Sequence, residues 1–325
     1  MSDPAGRGQH LRRALELYGT VLALAVLVVV FALTSDAFLR TANLLNIAKQ
    51  ISFLTILGVG FTLALAAAEL DLSFANVCSL ASVAVGGLLT VGWPIAGAVA
   101  VGLAIGAAFG LANGVLVTRL KVPSLIATLA TASIANGIAF AITGGVAYVG
   151  RLAEPFLALA RASVLGMPVL VLWTAGVVTL AQVFVATTRP GLHLVMTGEA
   201  EAAARLAGIR TRSMKVLALA LSGLAAGLTA VLLTASLSSA GPTIAYDFLM
   251  RGIAAVLLGM TTIEPGRPNV PGTLVGALMI GVLTNGLTLA GAPYYVQDVM
   301  LGVIILGSVG LSASQLKRAA FGLGH

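Results

Sequence analysis

The chain has 325 residues, of which 59% are hydrophobic and 9% charged, against about 25% charged in an ordinary soluble domain. Its 18 Lys and Arg and 11 Asp and Glu cannot cover a water-facing surface, which excludes a soluble enzyme and calls for a bilayer as solvent. The formal charge of +7 would suggest nucleic acid in a soluble chain; here its distribution among loops sets orientation across a membrane, with lipid and not nucleic acid as the surroundings.

A spanning helix takes about 20 apolar residues. The expected architecture is therefore an all-α polytopic membrane protein, one transmembrane domain over residues 1–325 with about ten spans and no room for a folded soluble domain. In chain order the apolar runs predict helices over 18–34, 51–68, 73–91, 94–117, 123–143, 167–187, 214–240, 249–260, 271–289 and 296–311. The first follows a polar start with no convincing small-residue cleavage site, and reads as an uncleaved span. Cys78 falls inside an apolar run and reads as a small buried residue. With the N-terminus in the cytoplasm, Arg40, Lys49, Arg151, Arg161 and Arg251 fall outside and the remaining Lys and Arg inside, so the positive-inside rule places both termini in the cytoplasm.

Two polar breaks interrupt this pattern. One is Glu69-Leu70-Asp71-Leu72-Ser73, and the other runs from Gly259 through Thr261, Thr262 and Glu264 to Pro271. Interrupted apolar segments at corresponding positions of two halves mark an inverted repeat with functional machinery at the breaks; the halves would be roughly 51–143 and 214–311. Each break alone also fits an ordinary tight loop between antiparallel helices.

Ionisable residues within a membrane protein mark function by default, which makes Glu69 and Asp71 candidates for a pathway or gate. Ser73 and Asn76 are placed to cap the following helix, and Asp71 reads more readily as a helix-start cap than as a substrate contact. Thr261 and Thr262 are the equivalent candidates at the second break. Asn136 and Asn285 either line a polar pathway or join helices. Gly86, Gly87, Gly102, Gly106 and Gly110 favour close helix packing.

Residues 187–213 are too polar for the bilayer and too few for a domain. They read as one surface helix: Gly198 precedes Glu199 and Glu201 at its start, Glu201 and Arg205 pair at i to i+4, and Gly208 supplies a left-handed cap. Ala202, Leu206 and Ile209 form an apolar stripe suited to a docked partner, or to the membrane face of the same chain.

No Gly-Lys-Ser/Thr occurs at any lysine, so this chain carries no phosphate-binding loop of that kind, and any ATP belongs to another subunit. His10, His193 and His325 fall in loops or tails, which leaves neither a metal cluster nor a nucleophile and base pair.

Several runs resemble the permease subunits of ribose-type and branched-chain amino acid ABC importers, in particular the simple-sugar branch. They are Asn43-Leu-Leu-Asn46, Asp71-Leu-Ser73, Ile126-Ala-Thr-Leu129, Thr188-Arg-Pro-Gly191, Leu237-Ser-Ser239, Ala254 to Gly259 with Pro271 to Gly276, and most specifically Glu199 to Ile209. The resemblance implies a permease of the bacterial inner membrane and makes Glu199, Glu201, Ala202, Arg205, Leu206, Gly208 and Ile209 a coupling helix fitting a cleft in a cytoplasmic ATPase. It implies as further partners an extracytoplasmic solute-binding protein and a second permease copy or paralogue, with ATP and Mg on the ATPase and no cofactor on this chain. Where the family usually reads Gly-Ile-Asp-Leu-Ser-Val-Gly this chain has Glu69 to Ala75, and Asn136-Gly137 stands where sugar permeases often carry Arg-Gly. The competing expectation is an ion-coupled secondary transporter using Glu69 or Asp71.

Overall fold

The computed structural model describes residues 20–150 and 152–321. His10, Arg151, His325 and the start of the first expected span lie outside the described residues. The ten predicted spans correspond to ten apolar helices: α1 (Thr20–Thr34), α2 (Thr41–Ala66), α3 (Phe74–Thr90), α4 (Ile95–Thr118), α5 (Ser124–Thr143), α7 (Val169–Thr187), α10 (Thr211–Leu237), α11 (Phe248–Gly259), α12 (Val270–Leu289) and α13 (Tyr294–Phe321). Six of them are long and apolar enough to cross a membrane individually. Three short helices complete the list: α6 (Glu154–Arg161), α8 (Arg189–Glu199) and α9 (Glu201–Leu206). Among the described residues four two-residue strands form two antiparallel pairs, a hairpin of Ser163 and Val164 with Met167 and Pro168, and a pairing of Tyr148 and Val149 with Ser239 and Ala240 that joins the connections after α5 and α10.

Helices α2, α3 and α10 form the buried centre, whereas α4, α5 and α7 turn most of their apolar side chains outward, as a lipid solvent allows. Cys78 is buried in this centre, as its apolar setting predicts. Glycines set the closest approaches. A Cβ at Gly106 of α4 would lie 2.1 Å from the Gly223 carbonyl oxygen of α10, and one at Gly223 would lie 2.1 Å from that of Gly106. A Cβ at Gly110 would lie 2.3 Å from the Leu219 carbonyl oxygen and one at Gly227 2.7 Å from that of Gly102, so α4 and α10 meet backbone to backbone along a small-residue seam.

The packing repeats. Helix α3 packs on α4, α5 and α10 as α11 packs on α12, α13 and α2, and α4 packs on α10 as α12 packs on α2. Exchanging α2 with α10, α3 with α11, α4 with α12 and α5 with α13 maps these contacts onto themselves. The repeat is inverted, because Glu69, three residues beyond the end of α2, is ion-paired to Lys215, the fifth residue of α10, so the end of one helix meets the start of the other. The exchange corrects one expectation: the two polar breaks are not equivalents of each other. Both lie at the end of the bundle that carries residues 187–215, whereas inverted equivalents lie at opposite ends. The counterpart of the first break is the α10 to α11 connection, and the backbone agrees: Ala68 follows α2 with φ 59° and Ser238 follows α10 with φ 52°.

Candidate functional site

Residues 187–215 are built from local signals. The Thr188 hydroxyl accepts a hydrogen bond from the Gly191 N–H at the start of α8, with a proline in the first turn. A Cβ on Gly191 would sit 1.9 Å from the Phe184 carbonyl oxygen, so only glycine lets α7 fold back into α8 so sharply. The single expected helix is in fact two. Ala200, at φ −154° and ψ 82°, breaks α8 from α9, and Gly198 lies inside α8 instead of preceding a helix, because its missing Cβ lets α8 rest on the Ala66 carbonyl at the end of α2. His193 likewise lies in α8 and not in a loop.

Helix α9 ends as its sequence predicts. Gly208 has φ 82°, its N–H donates to the Arg205 carbonyl, and the Ile209 N–H donates to that of Ala204, which together make a Schellman cap. Leu206 is 91% exposed, and Ala202 is also exposed. Ile209 departs from the expected stripe: it is buried, as is Ala204. The cap turns the chain back at Ile209, so this side chain anchors α9 to its own bundle, and the outward apolar face is Ala202, Ala203, Leu206 and Ala207.

Charges tie this segment to both breaks. Lys215 Nζ lies 2.8 Å from Glu69 Oε1 and 2.8 Å from Glu201 Oε2. The other oxygen of Glu201 accepts from Arg205 at 2.7 Å and from the Thr211 hydroxyl at 3.2 Å. Partial burial pushes the Glu201 carboxyl upward, but the hydrogen bond and charge of Lys215, with Arg205 and Thr211, outweigh it and hold the group below its ordinary value. At the second break Arg267 Nη1 lies 3.2 Å from Glu199 Oε1. A cleft of about 290 Å³ lies between the end of α2, α7, α8 and residues 263–271, with Glu199 and Arg267 in its wall.

The first break is embedded in polar contacts. Asp71 Oδ1 accepts from the N–H of Ser73 at 2.9 Å and from its hydroxyl at 2.5 Å, while Oδ2 is buried and the Ser222 hydroxyl of α10 also lies close to the carboxylate. Asn113 of α4 donates to the Ser73 hydroxyl, and Thr131 of α5 donates to Asn113, at 2.9 and 2.7 Å. Ser124 and Thr128 of α5 satisfy the N–H and carbonyl of Leu70. The capping expectation is not met: Asp71 bonds to Ser73, the residue before α3, and to no N–H of the helix itself, so it braces the turn that leads into α3. The Ser73 side chain makes no cap bond, and Asn76 reaches across instead, donating to the Ala132 carbonyl of α5 at 3.1 Å.

The remaining candidates scatter. Asn285 of α12 and Asn43 of α2 exchange two hydrogen bonds of 2.9 Å, a helix-joining pair. Asn136 is half-buried on α5. Thr262 is buried and donates to the Gly259 carbonyl, and Thr261 meets the Thr20 hydroxyl of α1 at 2.6 Å. The structure therefore gathers Glu69, Asp71 and Ser73 with Glu201 and Arg205 at one end, and leaves Asn136 and Asn285 apart. Sequence reading missed Lys215, Arg267, Asn113 and Thr131. The one signal available for Lys215 was a cation close to the start of an apolar helix, where a carboxylate is the natural partner for it.

An inverted-repeat bundle of apolar helices, with a short exposed helix anchored at one end, defines a multi-pass membrane protein of the permease class. The model of the family described as branched-chain amino acid transport system / permease component matches residues 43–309, and the chain belongs to that family. It is 34% identical to the ribose import permease protein of Bacillus subtilis (strain 168) over 301 residues, covering 92% of this chain and 94% of that protein. The ribose import permease protein of Escherichia coli (strain K12) is 34% identical over 309 residues, 94% of this chain and 96% of that protein. The L-arabinose transport system permease protein of Escherichia coli (strain K12) is 30% identical over 297 residues, 91% of this chain and 90% of that protein. No solved structure matches the chain.

Proposed function

We propose that this chain is the transmembrane subunit of an ATP-binding-cassette importer of the bacterial cytoplasmic membrane. It translocates a small polar solute, a monosaccharide or a related compound, received from an extracytoplasmic binding protein. Separate ATPase subunits supply ATP and Mg, the transport unit contains a second copy or a paralogue, and both termini are cytoplasmic. The transmembrane domain spans 1–325, with repeat halves over roughly 51–143 and 214–311. The observation that carries the reading is Leu206, 91% exposed on a six-residue helix whose charged neighbours bind it to the bundle. A helix so short is not stable alone, and an outward leucine among alanines at a membrane protein's polar end suits a docked protein. The named relatives are permeases of ribose import and of L-arabinose transport, which supports a sugar as solute. Ion coupling through Glu69 is disfavoured because Lys215 already neutralises it.

Reconstitution tests the proposal. The purified chain in liposomes is expected neither to hydrolyse ATP nor to take up solute, and both activities are expected on adding the partner ATPase and binding protein. Uptake by the chain alone, driven by a proton or sodium gradient, overturns the reading. In a Cys78→Ala background, Arg205→Cys is expected to label from the cytoplasm and Glu154→Cys from outside; labelling of both from one side overturns the orientation.

A further inference from the structure

We propose that Lys215 and Glu69 form the link through which movement of α9 reaches the first break, so that these two residues set the coupling between the ATPase and the transmembrane helices. The inference rests on α9 being the ATPase-docking helix.

Helix α9 packs on α8 and α10. Its charged connection inward runs from Glu201 Oε2 through Lys215 Nζ to Glu69 Oε1, with 2.8 Å at each step. The Lys215 and Glu69 side chains are 18% and 5% exposed. An ion pair this buried resists separation, because parting it leaves an uncompensated charge; Glu201, 36% exposed, is held less by burial than by its three partners Lys215, Arg205 and Thr211, so the three residues shift together. Glu69 stands two residues before Asp71, and from Asp71 the hydrogen bonds pass through Ser73 and Asn113 to Thr131. A displacement of α9 is thereby delivered to the start of α3 and to α4 and α5. The other tie, from Glu199 to Arg267, has side chains 41% and 59% exposed, where water and salt screen the attraction. The first break is driven directly, and the second follows.

The test uses the full chain with its partner ATPase, Cys78→Ala and Leu72→Cys, and N-ethylmaleimide labelling with and without MgATP and orthovanadate. With Lys215 and Glu69 intact, nucleotide trapping is expected to change the labelling rate at position 72 by at least about fivefold, the low end of ordinary coupling. Lys215→Met and Glu69→Gln are each expected to retain ATPase binding and lose most of that change, and Lys215→Arg, which keeps the cation, to preserve it. A merely structural pair would lower ATPase binding and labelling response together. Full nucleotide response in Glu69→Gln or Lys215→Met overturns the link, as does an unresponsive position 72 in the chain with both residues intact. Should Lys215→Met fail to reach the membrane, Glu69→Gln, nearly identical in shape, decides alone. Failure of the unsubstituted chain to bind an ATPase at all is a different result, and defeats the docking reading beneath it.

Discussion

The two polar breaks look alike in sequence and differ in construction. Residues 67–73 are enclosed by α3, α4, α5 and α10, with Asp71 fully buried and hydrogen-bonded and Glu69 ion-paired. Residues 260–269 turn outward, exposing Ile263 and Glu264, and are held by the Thr262 hydroxyl, the Asn269 side chain at the start of α12 and the surface pair Arg267 and Glu199. A polar interruption thus says where an apolar helix stops; whether it becomes a rigid junction or a surface turn depends on which helices enclose it.

That contrast can be broken most severely at Asp71. Asp71→Leu leaves two buried donors of Ser73 without an acceptor, a loss of about 3 kcal/mol, whereas Asp71→Asn keeps an acceptor at Oδ1 and costs about 1 kcal/mol. Thermal unfolding in detergent separates the two; equal losses would mean that Asp71 acts by its charge. Asn269→Ala is the matching test at the second break. It removes the oxygen that accepts from the Gly272 N–H at 2.7 Å, and a lost helix cap of this kind costs about 1 kcal/mol; a loss as large as that of Asp71→Leu would erase the distinction between buried and exposed junctions. The smallest effect has the opposite sign. Ala68 closes α2 in the left-handed region, with its N–H on the Leu65 carbonyl and the Glu69 N–H on that of Ala64. Ala68→Gly relieves that strain and is expected to stabilise by up to about 1 kcal/mol, and an unchanged midpoint would show that the strain is absorbed elsewhere.

Much of this architecture was legible because lipid demands long apolar runs: all ten expected spans are helices. Gly208 was legible because a left-handed cap follows the last apolar residue of a short helix. The kink at Ala200 was not, since alanine ordinarily favours helix and tertiary contact overrides it here. Helix α6 was missed because its eight residues fall in a connecting segment. Lys215 and Glu69 lie far apart in the chain, so only folding shows that they answer each other. The breaks were paired wrongly for a related reason: polarity is local, but helix direction decides which segments an inverted repeat makes equivalent.

The central claim is that α9 docks an ATPase through its outward leucine. Leu206→Asp places a charge where a desolvated contact should form, a change that costs several kcal/mol in such settings, while Ser213→Asp puts the same charge at an exposed position on the first turn of α10, where the helix dipole favours it. Co-purification of the ATPase with each variant is the direct measurement. The account predicts that Leu206→Asp reaches the membrane in normal amount and no longer retains the ATPase, while Ser213→Asp retains it; ATPase retention by Leu206→Asp would contradict the account and place the docking surface elsewhere.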